Sequence, residues 1–133
     1  MIGVEDSSLE SSENMQKFQV IFFQKYNGDC PTEKFLEKLD QKMNAKMTRT
    51  ISALQEHGNE LREPYSKHLD DGIYELRAQI GSNISRVLYF FYVGKRAILT
   101  HGFIKKTQKT PPSELKMAKF YREEYLSREE NRI

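Results

Sequence analysis

The sequence predicts a single α+β domain with the element order strand, helix, helix, strand, strand, strand, helix. The length of 133 residues suits one domain and leaves no room for two. Two consecutive helical patterns lie in the first half of the chain, and three strand-like segments joined by tight turns lie in the second half. This segregation is typical of the α+β class, here a small antiparallel sheet packed against the N-terminal helices, with a further C-terminal helix.

The N-terminal half begins with a predicted strand and continues with the two helices. Residues 17–26 are dense in aromatic and β-branched side chains, and the turn residues 27–29 end this strand. Pro31 suits the first turn of a helix, and a longer second helix ends at Gly58. The apolar side chains that recur at helical spacing are Phe35, Leu36, Leu39, Met43, Met47, Ile51 and Leu54.

The second half contains the three strands of a predicted antiparallel meander, after an irregular stretch around Pro64. The strands are predicted at 72–80, 84–93 and 96–104. The first strand alternates, and it places Glu75 and Arg77 together on one face. The second strand is apolar on both faces, as a central strand is, except that Arg86 interrupts the run. Two short turns that contain glycine join the three strands.

The last predicted element is a helix over residues 114–126. Leu115, Ala118 and Tyr125 recur there at helical spacing. Pro111 and Pro112 precede the helix, and Ser113 is a suitable N-cap residue.

The opening residues differ in composition from the rest of the chain. Residues 1–14 hold four acidic side chains and four serines, and they contain no lysine or arginine. Such a segment buries too little apolar surface to offset the entropy lost on ordering. We therefore predict a disordered acidic extension over residues 1–14 and one folded domain over residues 15–133.

The composition favours a cytoplasmic protein that needs neither a metal nor another cofactor. The single cysteine, Cys30, has no partner for an internal disulfide, which fits a reducing compartment. No apolar run approaches the roughly 20 residues that a membrane-spanning helix needs, and no secretory signal is visible. The three histidines are too scattered to form a metal site, and the glycines form no phosphate-binding loop.

The most informative feature is the positive charge of residues 76–113, which contain no Asp or Glu. A surface with this much unbalanced charge attracts anions such as RNA. The basic residues of this block are Arg77, Arg86, Lys95, Arg96, Lys105, Lys106 and Lys109. We predict that RNA or the ribosome binds to Lys95, Arg96, Lys109, Lys116 and Lys119. The candidates for stacking on RNA bases are Tyr65, Tyr74, Phe103 and Tyr121.

The same block contains candidates for cleavage of an RNA phosphodiester. That reaction needs a base for the 2′-hydroxyl, cations for the charge on the phosphorane, and an acid for the leaving 5′-oxygen. Arg77 and Arg86 supply guanidinium groups that bind phosphate. Lys105, Lys106 and His101 are the candidates for proton transfer. A structural role within the sheet explains His101 equally well.

Three sequence blocks occur in an order that matches a known family. They are residues 71–77 (DGIYELR), residues 86–91 (RVLYFF) and residues 101–111 (HGFIKKTQKTP). A helical pair that ends at Gly58 precedes them. With these features the chain resembles the RelE/ParE superfamily of bacterial toxins, in particular its phage-derived, HigB-like branch. The acidic opening is not part of the pattern.

This resemblance implies the toxin of a type II toxin–antitoxin system, acting as a metal-independent, ribosome-dependent mRNA endonuclease that inhibits translation. It implies three partners: a HigA-like antitoxin with a helix-turn-helix domain, the ribosome with its mRNA, and operator DNA bound through the toxin–antitoxin complex. By position, Arg77 and Arg86 match basic residues that contact the scissile phosphate. Glu75 stands where the best-studied branch has a lysine, and Tyr121 and Tyr125 are the candidates for its C-terminal tyrosine.

The alternative is a non-catalytic, ParE-like toxin that binds a protein target such as DNA gyrase. A surface that binds protein has no need of convergent phosphate ligands, so Arg77, Arg86 and the basic run 105–109 favour RNA cleavage. A relative without activity is a third interpretation. Under the cleavage hypothesis, we expect Arg86→Ala to abolish toxicity and leave the fold intact.

Overall fold

A computed structural model describes residues 17–132 and confirms the predicted α+β class. The predicted acidic extension over residues 1–14 lies outside the described residues. The helices are α1 (Pro31–Lys38), α2 (Gln41–His57) and α3 (Pro112–Glu130), and a short 3₁₀ turn (Gly58–Glu60) follows α2. The strands are β1 (Gln19–Phe22), β2 (Ser66–Asp70), β3 (Ile73–Ile80), β4 (Asn83–Tyr92) and β5 (Arg96–Lys105). None of the three helices described has both the length and the apolar character that a membrane span requires.

The five strands form one mixed sheet in the order β1-β5-β4-β3-β2. Strands β2 to β5 pair antiparallel with their sequence neighbours, which confirms the predicted meander and adds one strand to it. Strand β1 pairs parallel with β5, so the sheet is not purely antiparallel. The central strand is therefore β4, in agreement with its apolar sequence.

The additional strand, β2, corrects the prediction of an irregular stretch at this position. Its sequence is SKHLD, and only Ser66 among its residues is buried. An edge strand that is mostly exposed needs no apolar alternation, so the usual sequence signal is missing. Asp71 and Gly72 then form a two-residue turn to β3, and both have positive φ. Such a turn is typical of Asp-Gly hairpins.

Each face of the sheet has its own hydrophobic core. Helices α1 and α2 cover one face, and α3 covers the other. The core under α1 and α2 includes Met43, Met47, Leu54, Leu76, Val87, Tyr89 and Leu99. The core under α3 includes Phe23, Ile73, Leu88, Phe90, Ile98, Phe103 and Ala118. Because the side chains of β3 alternate, Leu76 lies in the first core while Glu75 and Arg77 point to the α3 face.

The boundaries of the last helix differ from the prediction. Helix α3 begins at Pro112, and Pro111 occupies the N-cap position without a side-chain hydrogen bond. Ser113 is therefore not the N-cap, and that prediction was wrong. A proline in the first turn of a helix loses no hydrogen bond, because the N–H at that position has no partner within the helix.

Candidate functional site

Three charged residues meet on the α3 face of the sheet where β3 pairs with β4. Arg77 and Arg86 lie directly opposite each other in the register, and Glu75 lies one pleat away on the same face. The Nε atom of Arg77 donates to Glu75, and the Nε atom of Arg86 lies 3.9 Å from the same carboxylate oxygen. One buried carboxylate thus faces two guanidinium groups, and the cluster keeps one net positive charge. We call these three residues the arginine cluster.

The loop over residues 106–111 covers the arginine cluster, and every member of the cluster bonds to it. The contacts are Arg86 to the carbonyl oxygens of Thr107 and Lys109, Arg77 to the side-chain and backbone oxygens of Gln108, and the hydroxyl of Thr110 to Glu75. The loop has no regular secondary structure of its own. Its position therefore depends on these side chains of the sheet.

The two arginines differ in how deeply their side chains are buried. The side chain of Arg86 is 0% exposed, whereas that of Arg77 is 18% exposed. Burial lowers the pKa of Arg86, although the carboxylate of Glu75 opposes this effect. Arg86 still carries its charge, because the pKa of arginine starts far above neutral pH.

The expectation that Arg86→Ala leaves the fold intact does not fit this environment. Arg86 is among the largest fully buried side chains, and its guanidinium bonds to carbonyl oxygens of the loop. Among the described residues, its Nε atom has no hydrogen-bond partner. An arginine with these contacts holds the loop in place, so we revise the expected effect of its loss to include stability.

Arg77 lies where two clefts meet at the β2 edge of the sheet. The larger cleft has a volume of about 790 Å³, and the smaller one has about 390 Å³. The larger is lined by Lys46, Arg49, Thr50, Ala53, Glu63, Pro64, Tyr65, Lys67, Arg77, Ala78, Gln79 and Gln108. The smaller is lined by Lys67, His68, Leu69, Arg77, Gln108, Lys109, Thr110 and Leu115. Because the two share Lys67, Arg77 and Gln108, we call them together the cationic groove.

The cationic groove carries five basic side chains and one acidic side chain. The basic ones are Lys46, Arg49, Lys67, Arg77 and Lys109, and the acidic one is Glu63. Lys46 donates to the carbonyl oxygen of Gln79 at 2.6 Å, and no carboxylate of residues 17–132 forms an ion pair with it. Within residues 17–132, neither Arg49 nor Lys67 forms an ion pair. A groove with this excess of positive charge concentrates polyanions.

One of the four aromatic residues predicted to stack on RNA bases borders the cationic groove. Tyr65 is 52% exposed and lines the larger cleft. Phe103 is buried, Tyr74 packs against other aromatic rings in the α1/α2 core, and Tyr121 stacks on a ring under α3. Tyr125, the other candidate for the C-terminal tyrosine, packs on aromatic rings of β4 and lines neither cleft.

The predicted cations at the two ends of β5, Lys95, Arg96, Lys105 and Lys106, lie outside the cationic groove. Lys105 and Lys106 are exposed where β5 runs into the loop over the arginine cluster. Lys95 and Arg96 lie at the opposite end of the β4–β5 hairpin, about 20 Å from Arg86 along the strand. Arg96 forms an ion pair with Glu129 at 2.9 Å. Lys95 and Arg96 are therefore not part of the same site.

The two predicted lysines of α3 lie next to the smaller cleft and not within it. Lys116 is exposed and directly follows Leu115, which lines that cleft. Lys119 forms an ion pair with Asp70 at 2.9 Å. This contact ties α3 to the end of β2.

His101 is buried on the α3 face and lines neither cleft. A bulge at Thr100 shifts the register of β5, so that His101 shares a face with Phe103 and no longer with Leu99. Its Nε2 atom lies 3.2 Å from Glu114, and its Nδ1 atom lies 3.1 Å from the hydroxyl of Thr100. These contacts favour the structural role within the sheet.

The stability of the protein should fall in mild acid because of His101. Burial lowers the pKa of His101 from its ordinary 6.5, although Glu114 opposes this. The unfolded chain then binds a proton there more readily than the folded chain does. The stabilising contribution is therefore fully present above about pH 6.5 and is lost as the pH falls below that value.

We expect the Tm of the wild-type protein to fall between about pH 7 and pH 5 by more than the Tm of His101→Gln. Thermal unfolding of both proteins at a series of pH values measures the difference. Identical pH slopes would show that His101 does not titrate in a buried environment.

The groove residues on α2 and β2 are those that sequence reasoning missed. Lys46, Arg49 and Ala53 recur at helical spacing, so they share one face of α2. That spacing was visible in the sequence, but it gave no reason to connect this face with Lys67 of β2. Within the described residues, no cluster of His, Cys, Asp and Glu is able to hold a metal ion.

Comparison with known proteins identifies the family. The family model of phage-derived protein Gp49-like (DUF891) matches residues 34–122, which is more than half of the chain. The matched region runs from α1 into α3 and includes the arginine cluster and every residue that lines the cationic groove. The comparison with curated proteins gives no match. The chain therefore belongs to the phage-derived Gp49-like family, which is part of the RelE/HigB-like toxin group.

Proposed function

We propose that this protein is the toxin of a type II toxin–antitoxin system, in the HigB-like branch, and that it inhibits translation by cleaving mRNA on the ribosome. The observation that carries the proposal is the position of Arg77 at the junction of the two clefts of the cationic groove. The groove offers an RNA strand several cations along its length, and Arg77 offers one phosphate a planar guanidinium.

In this proposal Arg77 stabilises the charge that develops on the scissile phosphate. Glu75 and Gln108 hold its guanidinium in one orientation, so little side-chain entropy is lost when phosphate binds. A preorganised cation is most effective where water is partly excluded, and Arg77 is largely buried. Arg86 stabilises this arrangement indirectly, because its hydrogen bonds hold the loop that contains Gln108.

Lysines carry out the proton transfers in this proposal. His101 does not, because its ring is buried against Glu114. A lysine amine accepts the proton of the RNA 2′-hydroxyl, and the 2′-oxygen then attacks the phosphorus atom. As the bond from phosphorus to the 5′-oxygen breaks, a lysine ammonium donates a proton to that oxygen. Lys67 and Lys109 line the groove next to Arg77, and Lys105 and Lys106 extend from the adjacent end of β5.

The proposed partners follow from the same surface. A HigA-like antitoxin that covers the groove would keep RNA out, and the complex would bind operator DNA through the helix-turn-helix domain of the antitoxin. The ribosome would present the mRNA. Attraction between the groove and the ribosome should weaken with salt, because each bound phosphate releases counterions.

Mapping of mRNA 5′ ends after brief induction in a bacterial cell tests this function. We expect new 5′ ends within translated reading frames for the wild-type protein and none for Arg77→Ala. Arg132→Ala is the matched control, because Arg132 is exposed at the end of α3 and lies outside both clefts. Growth arrest by the wild-type protein without new 5′ ends would reject cleavage and favour a ParE-like toxin that binds a protein such as gyrase.

A further inference from the structure

We infer that the acidic residues 1–16 of this chain bind in the cationic groove of the same molecule and compete there with RNA. The contact itself is independent of the proposed function, whereas the competition rests on it. The occupant is a named segment of the chain, and three features of the molecule point to it. They are the charge of the segment, the place where it joins the fold, and its length.

The charges of the segment and of the groove are complementary. Residues 1–16 contain Glu5, Asp6, Glu10 and Glu13 and no lysine or arginine. The groove is lined by five basic side chains and by one acidic side chain, Glu63, and among the described residues only Arg77 of the five is ion-paired, with Glu75 behind it. Arg49 and Lys67 are exposed, and neither forms an ion pair within residues 17–132. They are therefore available to carboxylates that approach the groove from elsewhere in the chain.

The segment joins the folded domain beside the C-terminal end of α2, near Ala53 of the larger cleft. The backbone N–H of Phe18 donates to the carbonyl oxygen of Gln55 at 2.9 Å, and the Nζ atom of Lys17 lies 3.1 Å from Glu56. Ala53, which lines the larger cleft, precedes Glu56 by three residues on α2. Since a helical turn has 3.6 residues, the chain enters the fold within about one turn of the groove.

The segment is long enough to follow the whole cleft. The distance along α2 from Glu56 back to Lys46 is about 15 Å, because an α-helix rises 1.5 Å per residue. Sixteen extended residues reach about 50 Å. A chain of that length therefore spans the distance from Lys17 to the basic side chains of α2 and of β2.

Tethering makes weak contacts effective. Each carboxylate–cation contact at a protein surface contributes little by itself. A short tether, however, holds the segment near the groove at an effective concentration of about 1 mM. If the free segment bound the groove with a Kd of about 0.1–0.5 mM, tethering at that concentration would weaken RNA binding by about three- to tenfold.

A paramagnetic label tests the contact without reference to RNA. A nitroxide is attached at Leu9→Cys in a full-length Cys30→Ser background, and broadening of backbone amide signals is recorded by NMR. We expect broadening at α2 residues 46–53 and at residues 65–67, and its loss in a charge-neutral variant. That variant carries Glu5→Gln, Asp6→Asn, Glu10→Gln and Glu13→Gln. Broadening that is centred elsewhere, or that persists in the charge-neutral variant, overturns the inference.

Binding of a short single-stranded RNA tests the competition. The charge-neutral variant should bind the RNA about three- to tenfold more tightly than the wild-type protein. A matched control removes four exposed acids that form no ion pair within the described residues, namely Glu33→Gln, Glu37→Gln, Glu123→Gln and Glu130→Gln. An equal gain in this control assigns the effect to net charge and overturns the competition. Broadening at the groove with unchanged RNA affinity keeps the contact, overturns the competition, and argues against the groove as the RNA site.

Discussion

Arg77→Ala should lower the rate of mRNA cleavage on ribosomes by about 10²- to 10³-fold, which is the usual loss when one preorganised donor to a transition state is removed. The effect is expected on the chemical step, since Arg77 faces the phosphate while the other basic side chains of the groove hold the strand. Single-turnover cleavage of mRNA on saturating, programmed ribosomes measures this step. Arg77→Lys should recover only part of the rate, because an ammonium group lacks the bidentate geometry of the guanidinium.

Two other groove residues provide the comparison for Arg77. Arg49→Ala and Lys46→Ala remove charge from the larger cleft and leave the arginine cluster unchanged. Each variant should bind the ribosome more weakly, and its binding should depend less on the salt concentration. The single-turnover rate should fall much less than it does in Arg77→Ala. Wild-type cleavage by an Arg77→Ala protein with a native Tm would remove Arg77 from the catalytic proposal.

Arg86→Ala should lower the free energy of unfolding by about 3–6 kcal/mol, because each of its two charge-assisted hydrogen bonds to the loop contributes about 1.5–3 kcal/mol. The change leaves Glu75 buried with Arg77 as its remaining cation, and it takes the donor away from two carbonyl oxygens of the loop. A cavity at a fully buried position adds to the loss. Urea unfolding of the purified variant measures the change.

A double variant separates the lost ion pair from a defect in packing. Glu75→Gln/Arg86→Met replaces the two fully buried charges by neutral side chains of similar size and takes the counter-charge from Arg77, so it should regain only the part of the stability that Arg86→Ala loses to the cavity. It should not regain cleavage, because Arg77 then lacks the carboxylate that orients it. Unchanged stability of Arg86→Ala together with lost cleavage would support direct phosphate contact by Arg86, as the sequence alone suggested.

The helices and the central strands were predictable because each carries a strong local pattern. Helix α2 repeats Met43, Met47 and Leu54 at helical spacing, and all three are buried as that spacing requires. The apolar run of β4 identified the central strand of the sheet. Strand β2 was not predicted because it is an exposed edge strand without apolar alternation. Its pairing with β3 specifies it as a strand.

Part of the candidate site was also visible in the sequence. The alternation of β3 placed Glu75 and Arg77 on one face, and Arg86 stood out in an apolar run. His101 shows the limit of that reasoning, because the bulge at Thr100 moves it to the α3 face. The sequence of β5 contains no local pattern that predicts this change of face.

The sequence by itself determined the α+β class, the order of its main elements and the concentration of positive charge around Arg77 and Arg86. Only the tertiary structure decided that the loop buries Arg86, that Glu75 neutralises part of the charge, and that α2 and β2 complete the groove. The physical reason is that periodicity depends on neighbours along the chain. It tells which face a side chain occupies, whereas burial and electrostatic environment depend on which distant segment packs over that face.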